Sequence, residues 1–320
     1  MGIRILLFSA AVLGLVLALG AVFTLWRTQR TESQYPPVGQ LHELAEGVLH
    51  YYQTGTPAVG TPTLILLHGA STNLNDFYAL TAEFPDHLHW VSVDRPGAGY
   101  STRRSGGWMN PAAQAASVMA LQKSLNISQA IWVGHSLAGS LVMTGLQEYP
   151  QHVIGGVMLA GAAYSWDGGV DLIDHLPAVP VVGPLLTHSL IAPAGSAKFD
   201  AGIATAFAPD PVPPHYRQRS AIDLYLRPAQ FTTTASDIAN LSGYFEARSD
   251  SYADISQPVL LIHGDADTIV AAWNHADRLI DVLPNATYHR LPNTGHQPHH
   301  VYPRRVAQWI SDFVDTIKTP

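Results

Sequence analysis

A serine in the run Gly134-His135-Ser136-Leu137-Ala138 could attack a carbonyl carbon, provided a base takes its proton. The residues around it say how it would be held. Ala130 to Val133 are apolar and β-prone, Gly134 stops the run, and Leu141, Val142, Met143 and Leu146 follow with a helical pattern. Strand, tight turn and helix make a nucleophile elbow, which strains the serine backbone and exposes its hydroxyl above a sheet. Alone, such a pattern arises by chance in many chains. It gains weight from residues downstream. Asn293-Thr294-Gly295-His296 lies in a loop before the last helical pattern. Neutral imidazole there could take the hydroxyl proton and return it to a leaving group. His263 to Val270 follows the preceding strand and carries Asp265 and Asp267, either of which could orient the imidazole. Asp167, after another strand, is a third candidate acid. Oxyanion donors are expected from the Leu137 backbone N–H and from the turn after Thr63 to Leu67, at Ala70 or Ser71. Such donors contribute about 3 to 4 kcal/mol each to transition-state stabilisation.

The elements that must position these groups alternate along the chain. Leu41 to Gln53 reads as a hairpin ending at Gly55. Strands are expected at Thr63 to Leu67, Trp90 to Val93, Ala130 to Val133, Val153 to Leu159, Pro258 to Ile262 and Ala286 to Leu291. Helical patterns fall at Asn75 to Phe84, Pro111 to Leu125, Ala271 to Val282 and Tyr302 to Ile317. Alternation of this kind implies an α/β fold, a mostly parallel central sheet with helices on both faces. From Ala163 to about Ser236 the alternation stops and prolines multiply, which reads as an inserted cap of short helices. The expected division is therefore an anchor at 1–27, a linker at 28–40, core at 41–162, cap at 163–236 and core again at 237–320.

With these motifs in order, the chain resembles the α/β-hydrolase superfamily, in particular single-domain esterases with a cap. The resemblance rests on His68-Gly69, Asp94 to Ser101, Gly134 to Gly139, Gly264 to Val270 and Gly295 to His299, which run from Leu64 onward in the family's order. It implies a triad in the order serine, acid, histidine. It also implies Asp267 rather than Asp265 as the acid, three residues before Val270. The fifth elbow position is Ala138 where the family pattern has glycine. Asp94 to Ser101 reads as a structural turn rather than a reacting element.

Ile5 to Trp26 is apolar and uncharged, long enough to cross a bilayer as a helix. Ala18-Leu19-Gly20 resembles a signal-peptide cleavage site, but apolar residues continue past it to Trp26, which favours an uncleaved anchor. The short N-terminal tail favours an exported catalytic domain. The span makes a membrane the expected partner. A net charge of −7 with no Lys/Arg cluster excludes nucleic acid as the expected one. There is no cysteine, hence no disulfide, thiol nucleophile or thiolate metal site. His296, His299 and His300 cluster in a loop, without the regular spacing of a metal site. Gly97 and Gly99 lack the Lys-Ser/Thr of a phosphate loop. No cofactor or metal is expected.

His175 to Ala197 has no charged residue and four prolines, so it reads as an apolar lid rather than a second span. Trp166, Leu185, Leu186, Leu190 and Phe199 are its candidate substrate walls. Together these readings predict a membrane-anchored serine hydrolase acting on a carboxylic ester with an apolar part. Amides, thioesters, lactones, carbon–carbon bonds and peracid formation are open to the same triad. The non-enzymatic alternative is a membrane-tethered binding protein on a hydrolase fold.

Overall fold

The computed structural model describes residues 2–55, 57, 60–104 and 109–317. Eight strands form one sheet: β1 (Gln40–Leu44), β2 (Gly47–Thr54), β3 (Thr63–Leu67), β4 (Trp90–Val93), β5 (Ala130–His135), β6 (Val153–Leu159), β7 (Val259–Gly264) and β8 (Ala286–Leu291). Their order is β1-β2-β4-β3-β5-β6-β7-β8. The hairpin β1–β2 is antiparallel and β2 joins β4 antiparallel. From β4 to β8 every pairing is parallel.

The apolar runs of β3 and β5 explain the two-sided burial. Every residue of both strands is buried, as parallel strands covered on both faces require. Successive side chains then feed opposite layers. Ile65, Leu67 and Trp132 pack under α2 (Pro111–Ser124) and α3 (Gly139–Glu148). Leu64, Leu66, Ile131 and Val133 pack with α7 (Pro303–Thr316) on the other face. Between β7 and β8 runs α6 (Ala276–Val282).

Parallel register brings the carboxyl ends of β3, β5, β7 and β8 to one edge. Leu67 lies opposite Gly134, and Gly264 opposite Leu291. Open α/β sheets bind ligands at this edge, because the connecting loops there are free to carry side chains.

Between β6 and β7 lie two long helices, α4 (Ala192–Phe207) and α5 (Pro228–Glu246), with several shorter turns. The cap is thus not built of short helices alone. Pro193 and Pro228 stand in the first turns of these helices, where a missing N–H costs nothing. The expected boundary at residue 236 falls inside α5, whose Leu241 and Phe245 join the main core.

The first helix, α1 (Gly2–Gln34), is long and apolar enough to cross a membrane. It corrects the expected linker at 28–40, because it runs on through Thr28 to Gln34. No proline interrupts the chain before Pro36, and the polar turns are tied to the cap. Arg27 pairs with Asp223 at 2.6 Å and Glu32 with Arg227 at 3.1 Å. Gly20 lets α1 lie directly against the Ser189 main chain.

Candidate active site

Ser136 follows β5 with a φ of 54°, in the left-handed region. A non-glycine residue held there is strained, and the neighbouring contacts impose it. A Cβ at Gly134 would stand 2.6 Å from the Ala138 carbonyl oxygen, so strand and helix meet closely across the turn. Ala138 itself is fully buried and fits without displacement, which accounts for alanine at the fifth position. The Ala162 N–H donates to the Ser136 carbonyl at 2.9 Å and ties the turn to the chain after β6.

The candidate base and acid arrive from the next loops. The Ser136 hydroxyl donates to His296 Nε2 at 2.9 Å. His296 Nδ1–H donates to Asp267 Oδ2 at 2.7 Å. Asp267 Oδ1 accepts from the backbone N–H groups of Ile269 and Val270 at 2.8 and 2.9 Å. His263 Nε2 lies 3.2 Å from Asp267 Oδ2. Burial alone would raise the Asp267 carboxyl, but the charge and hydrogen bonds of His296 and His263 hold it well below the usual carboxylate range. Burial lowers the His296 imidazole, and Asp267 opposes that shift only in part. His296 is therefore a neutral acceptor at neutral pH.

The other two candidate acids are elsewhere. Asp265 is exposed and accepts from the Asn293 N–H at 2.6 Å, bracing the loop that carries His296. Asp167 is exposed, in the chain that follows β6. Gly264 lets the β7 loop press against the main chain of Thr294 and Gly295.

Ala70 and Ser71 line the same cavity as Ser136 and His296. Ser71 has a φ of 62°, so this turn too is strained. A residue missed as functional holds it. Arg95 is buried, and its guanidinium donates to the carbonyls of His68 at 2.9 Å and Gly69 at 3.2 Å. It also donates to Gln114 and to Asp237 of α5, both at 2.9 Å. The sequence signal was an arginine inside the Asp94 to Ser101 turn. Nothing there says where its side chain points.

The cavity over Ser136 measures about 720 Å³. Ile191, Phe199, Ile203 and Phe207 of the cap form much of its wall. Lys198 is the one Lys, Arg, Asp or Glu among the described residues lining it. Phe199 is thus a wall as expected, but Trp166, Leu185, Leu186 and Leu190 are not. The indole of Trp166 packs on the main core and donates to the Gly169 carbonyl at 2.8 Å. Leu185 is 48% exposed, just before the segment Thr187–Ile191 that packs against α1, and the next residue of the wall is Ile191. A run that is apolar throughout does not reveal which face turns inward.

His296, His299 and His300, adjacent in sequence, do not share one centre. His296 turns to Ser136, whereas His299 and His300 turn to the buried Asp76, at 3.8 and 3.4 Å. Asp76, inside the stretch expected to be helical, and His135, beside the serine, complete that second group.

Known proteins share this fold. The model of the Alpha/beta hydrolase family matches residues 64–309. The 2-(acetamidomethylene)succinate hydrolase of Mesorhizobium japonicum is 26% identical over 79% of this chain and 88% of its own. The structure of carboxylesterase CesB from Bacillus subtilis superposes with a TM-score of 0.70 at 19% identity, covering 92% of this chain and 98% of that one. That of a membrane phospholipase A, described as a bacterial virulence factor, gives 0.65 at 18% identity, covering 98% and 97%.

Proposed function

The chain belongs to the alpha/beta hydrolase family, and from that premise we propose that it is a membrane-anchored serine hydrolase of carboxylic esters with an apolar acyl or alcohol part. The observation that carries the reading is the chain of hydrogen bonds Ser136–His296–Asp267, at 2.9 and 2.7 Å, opening onto an apolar cavity.

Ser136 Oγ attacks the ester carbonyl while His296 Nε2 takes its proton. Asp267 holds the Nδ1–H tautomer and stabilises the imidazolium that forms. The N–H groups of Leu137 and of the Ala70–Ser71 turn receive the oxyanion. His296 returns the proton to the departing alcohol. Water, deprotonated by the same imidazole, then resolves the acyl-enzyme. The scheme draws only on side chains and backbone donors.

An ester group is small beside about 720 Å³ of apolar cavity, so the volume suits an attached hydrocarbon chain. The α1 helix supports a membrane location, and its contacts with the cap set the cavity close to the bilayer. The likeness to a membrane phospholipase A, which extends over almost the whole chain, points the same way. The domain is proposed to face the exported side.

A series of p-nitrophenyl esters of rising chain length, assayed with the full chain and with Ser136→Ala, tests the reading. Turnover of medium or long esters that vanishes in the variant is expected. Equal turnover by both proteins would contradict it.

A further inference from the structure

Directly before Ser136, His135 borders the substrate cavity and places its two ring nitrogens against two acceptors. Its Nδ1 lies 3.0 Å from Asp76 Oδ2 and its Nε2 lies 3.1 Å from the main-chain carbonyl oxygen of His296. A carbonyl oxygen can only accept, and so can an ionised carboxylate. Both ring nitrogens must therefore donate, which only an imidazolium does. We propose that His135 is a standing imidazolium, paired with Asp76, that holds His296 in place by its backbone carbonyl and keeps the His296 ring neutral by its charge. It is a positioning residue, and the inference rests on His296 being the base.

The surroundings favour the charged pair. Asp76 is fully buried, and Thr72 Oγ1 at 3.4 Å and His300 Nε2 at 3.4 Å also donate towards its carboxylate. Burial works against that charge, but His135 and the hydrogen bonds from His299 and His300 hold the Asp76 carboxyl well below its usual range. Donors on both carboxylate oxygens leave no reason for it to carry a proton. A buried carboxylate with no cation beside it would be costly, and the His135 ring is the group in contact.

The charge bears on the neighbouring ring. The His135 and His296 rings are 5.0 Å apart between centroids. At that range a positive charge disfavours a second one, and His135 is among the causes that lower His296. The other groups facing this pair are known. His299 lies against His135 with its ring tilted and the centroids 4.5 Å apart, and is itself driven neutral by burial. His300, also lowered by burial, stands between Asp76, Tyr216 and the more distant Arg219. His68 and Tyr78 lie on the other side of Asp76. On the far side of His296 are Asp267, His263 and His275. Asp267 alone among the groups on that side would favour a charged His296, and His135 opposes it.

Gly69 is part of the device. A Cβ there would stand 3.0 Å from His135 Nδ1 and 3.0 Å from Ser136 Cβ, so the glycine admits the imidazole beside the elbow.

The test uses the full chain in detergent. Histidine-selective ¹⁵N spectra of the wild type, recorded at the pH of the ester assay, should show an imidazole protonated on both nitrogens. That signal should be missing from His135→Gln. In kcat/KM against pH for a p-nitrophenyl ester, the acidic limb of His135→Gln should move up by about one unit, a tenfold loss on that limb. His135→Gln/Asp76→Asn, which removes both buried charges together, should move it in the same direction by less. The same doubly protonated signals in the wild type and in His135→Gln would overturn the proposal, as would an unmoved limb in a folded variant. A wild type that hydrolyses no ester would instead fail the functional reading, and the spectra would still report the charge on His135.

Discussion

At the carboxyl edge of the sheet, Ser136, His296 and Asp267 are joined by hydrogen bonds of 2.9 and 2.7 Å, and each is braced from behind by backbone or by a buried side chain. Across the cavity, the cap presents Ile191, Phe199, Ile203 and Phe207, side chains with nothing to donate or accept. The first region depends on angles and distances, so a small change in one atom disables it. The second depends on volume and apolar area, so its residues exchange for one another at modest cost. We therefore propose that chemistry resides in the sheet edge and selectivity in the cap.

The largest effect should come from the edge. Ser136→Ala is expected to lower kcat by about a million-fold in a single-turnover or steady-state ester assay. Asp267→Asn keeps the shape but favours the wrong His296 tautomer, and should cost about 10⁴-fold in kcat. Asp265→Asn, at the exposed alternative, should leave kcat/KM within about twofold while Tm shifts slightly. If the Asp265 variant lost more activity than the Asp267 variant, the assignment of the acid would be reversed.

Cap variants should act on selectivity instead. Ile203→Trp fills part of the cavity, and should lower kcat/KM for the longest accepted ester by about 10- to 200-fold while sparing the acetate. Leu185→Ala, outside the cavity, should leave the chain-length profile unchanged. A uniform loss across all chain lengths from Ile203→Trp would mean that the cap also shapes the reacting centre, and would dissolve the distinction between the regions.

The smallest effect concerns pH. His296 must be neutral to accept the serine proton, and burial lowers it from its ordinary value of 6.5. Activity should accordingly persist as pH falls through 6.5 and be lost only further down, as the imidazole gains its proton. A kcat/KM profile whose acidic limb sits above 6.5 would show that Asp267 outweighs burial at this ring.

The same contrast explains what could be read from the chain. Trp90–Val93 and Val153–Leu159 coincide with the apolar runs that predict them, because a strand buried on both faces needs nothing else. The meeting of Ser136, Asp267 and His296 at one edge was legible through short local motifs tied to strand ends. Arg95, Asp76 and His135 were not, since their roles depend on long-range partners such as Asp237 and the His296 carbonyl. In the cap, Phe199 was legible and Trp166, Leu185, Leu186 and Leu190 misled. An unbroken apolar segment has no polar face to give its orientation away. The helical stretch Thr28 to Gln34 was hidden for the opposite reason. Its sequence is polar, and its stability comes from ion pairs with a cap almost two hundred residues away.

The central claim, that the strained serine at the end of β5 is the reacting nucleophile, is tested most directly by mass spectrometry of the full chain after treatment with a fluorophosphonate. The account predicts one adduct, carried on the peptide containing Ser136, formed by the folded protein and absent after heat denaturation. An unmodified Ser136 peptide from folded protein, or an adduct on a different serine, would contradict it.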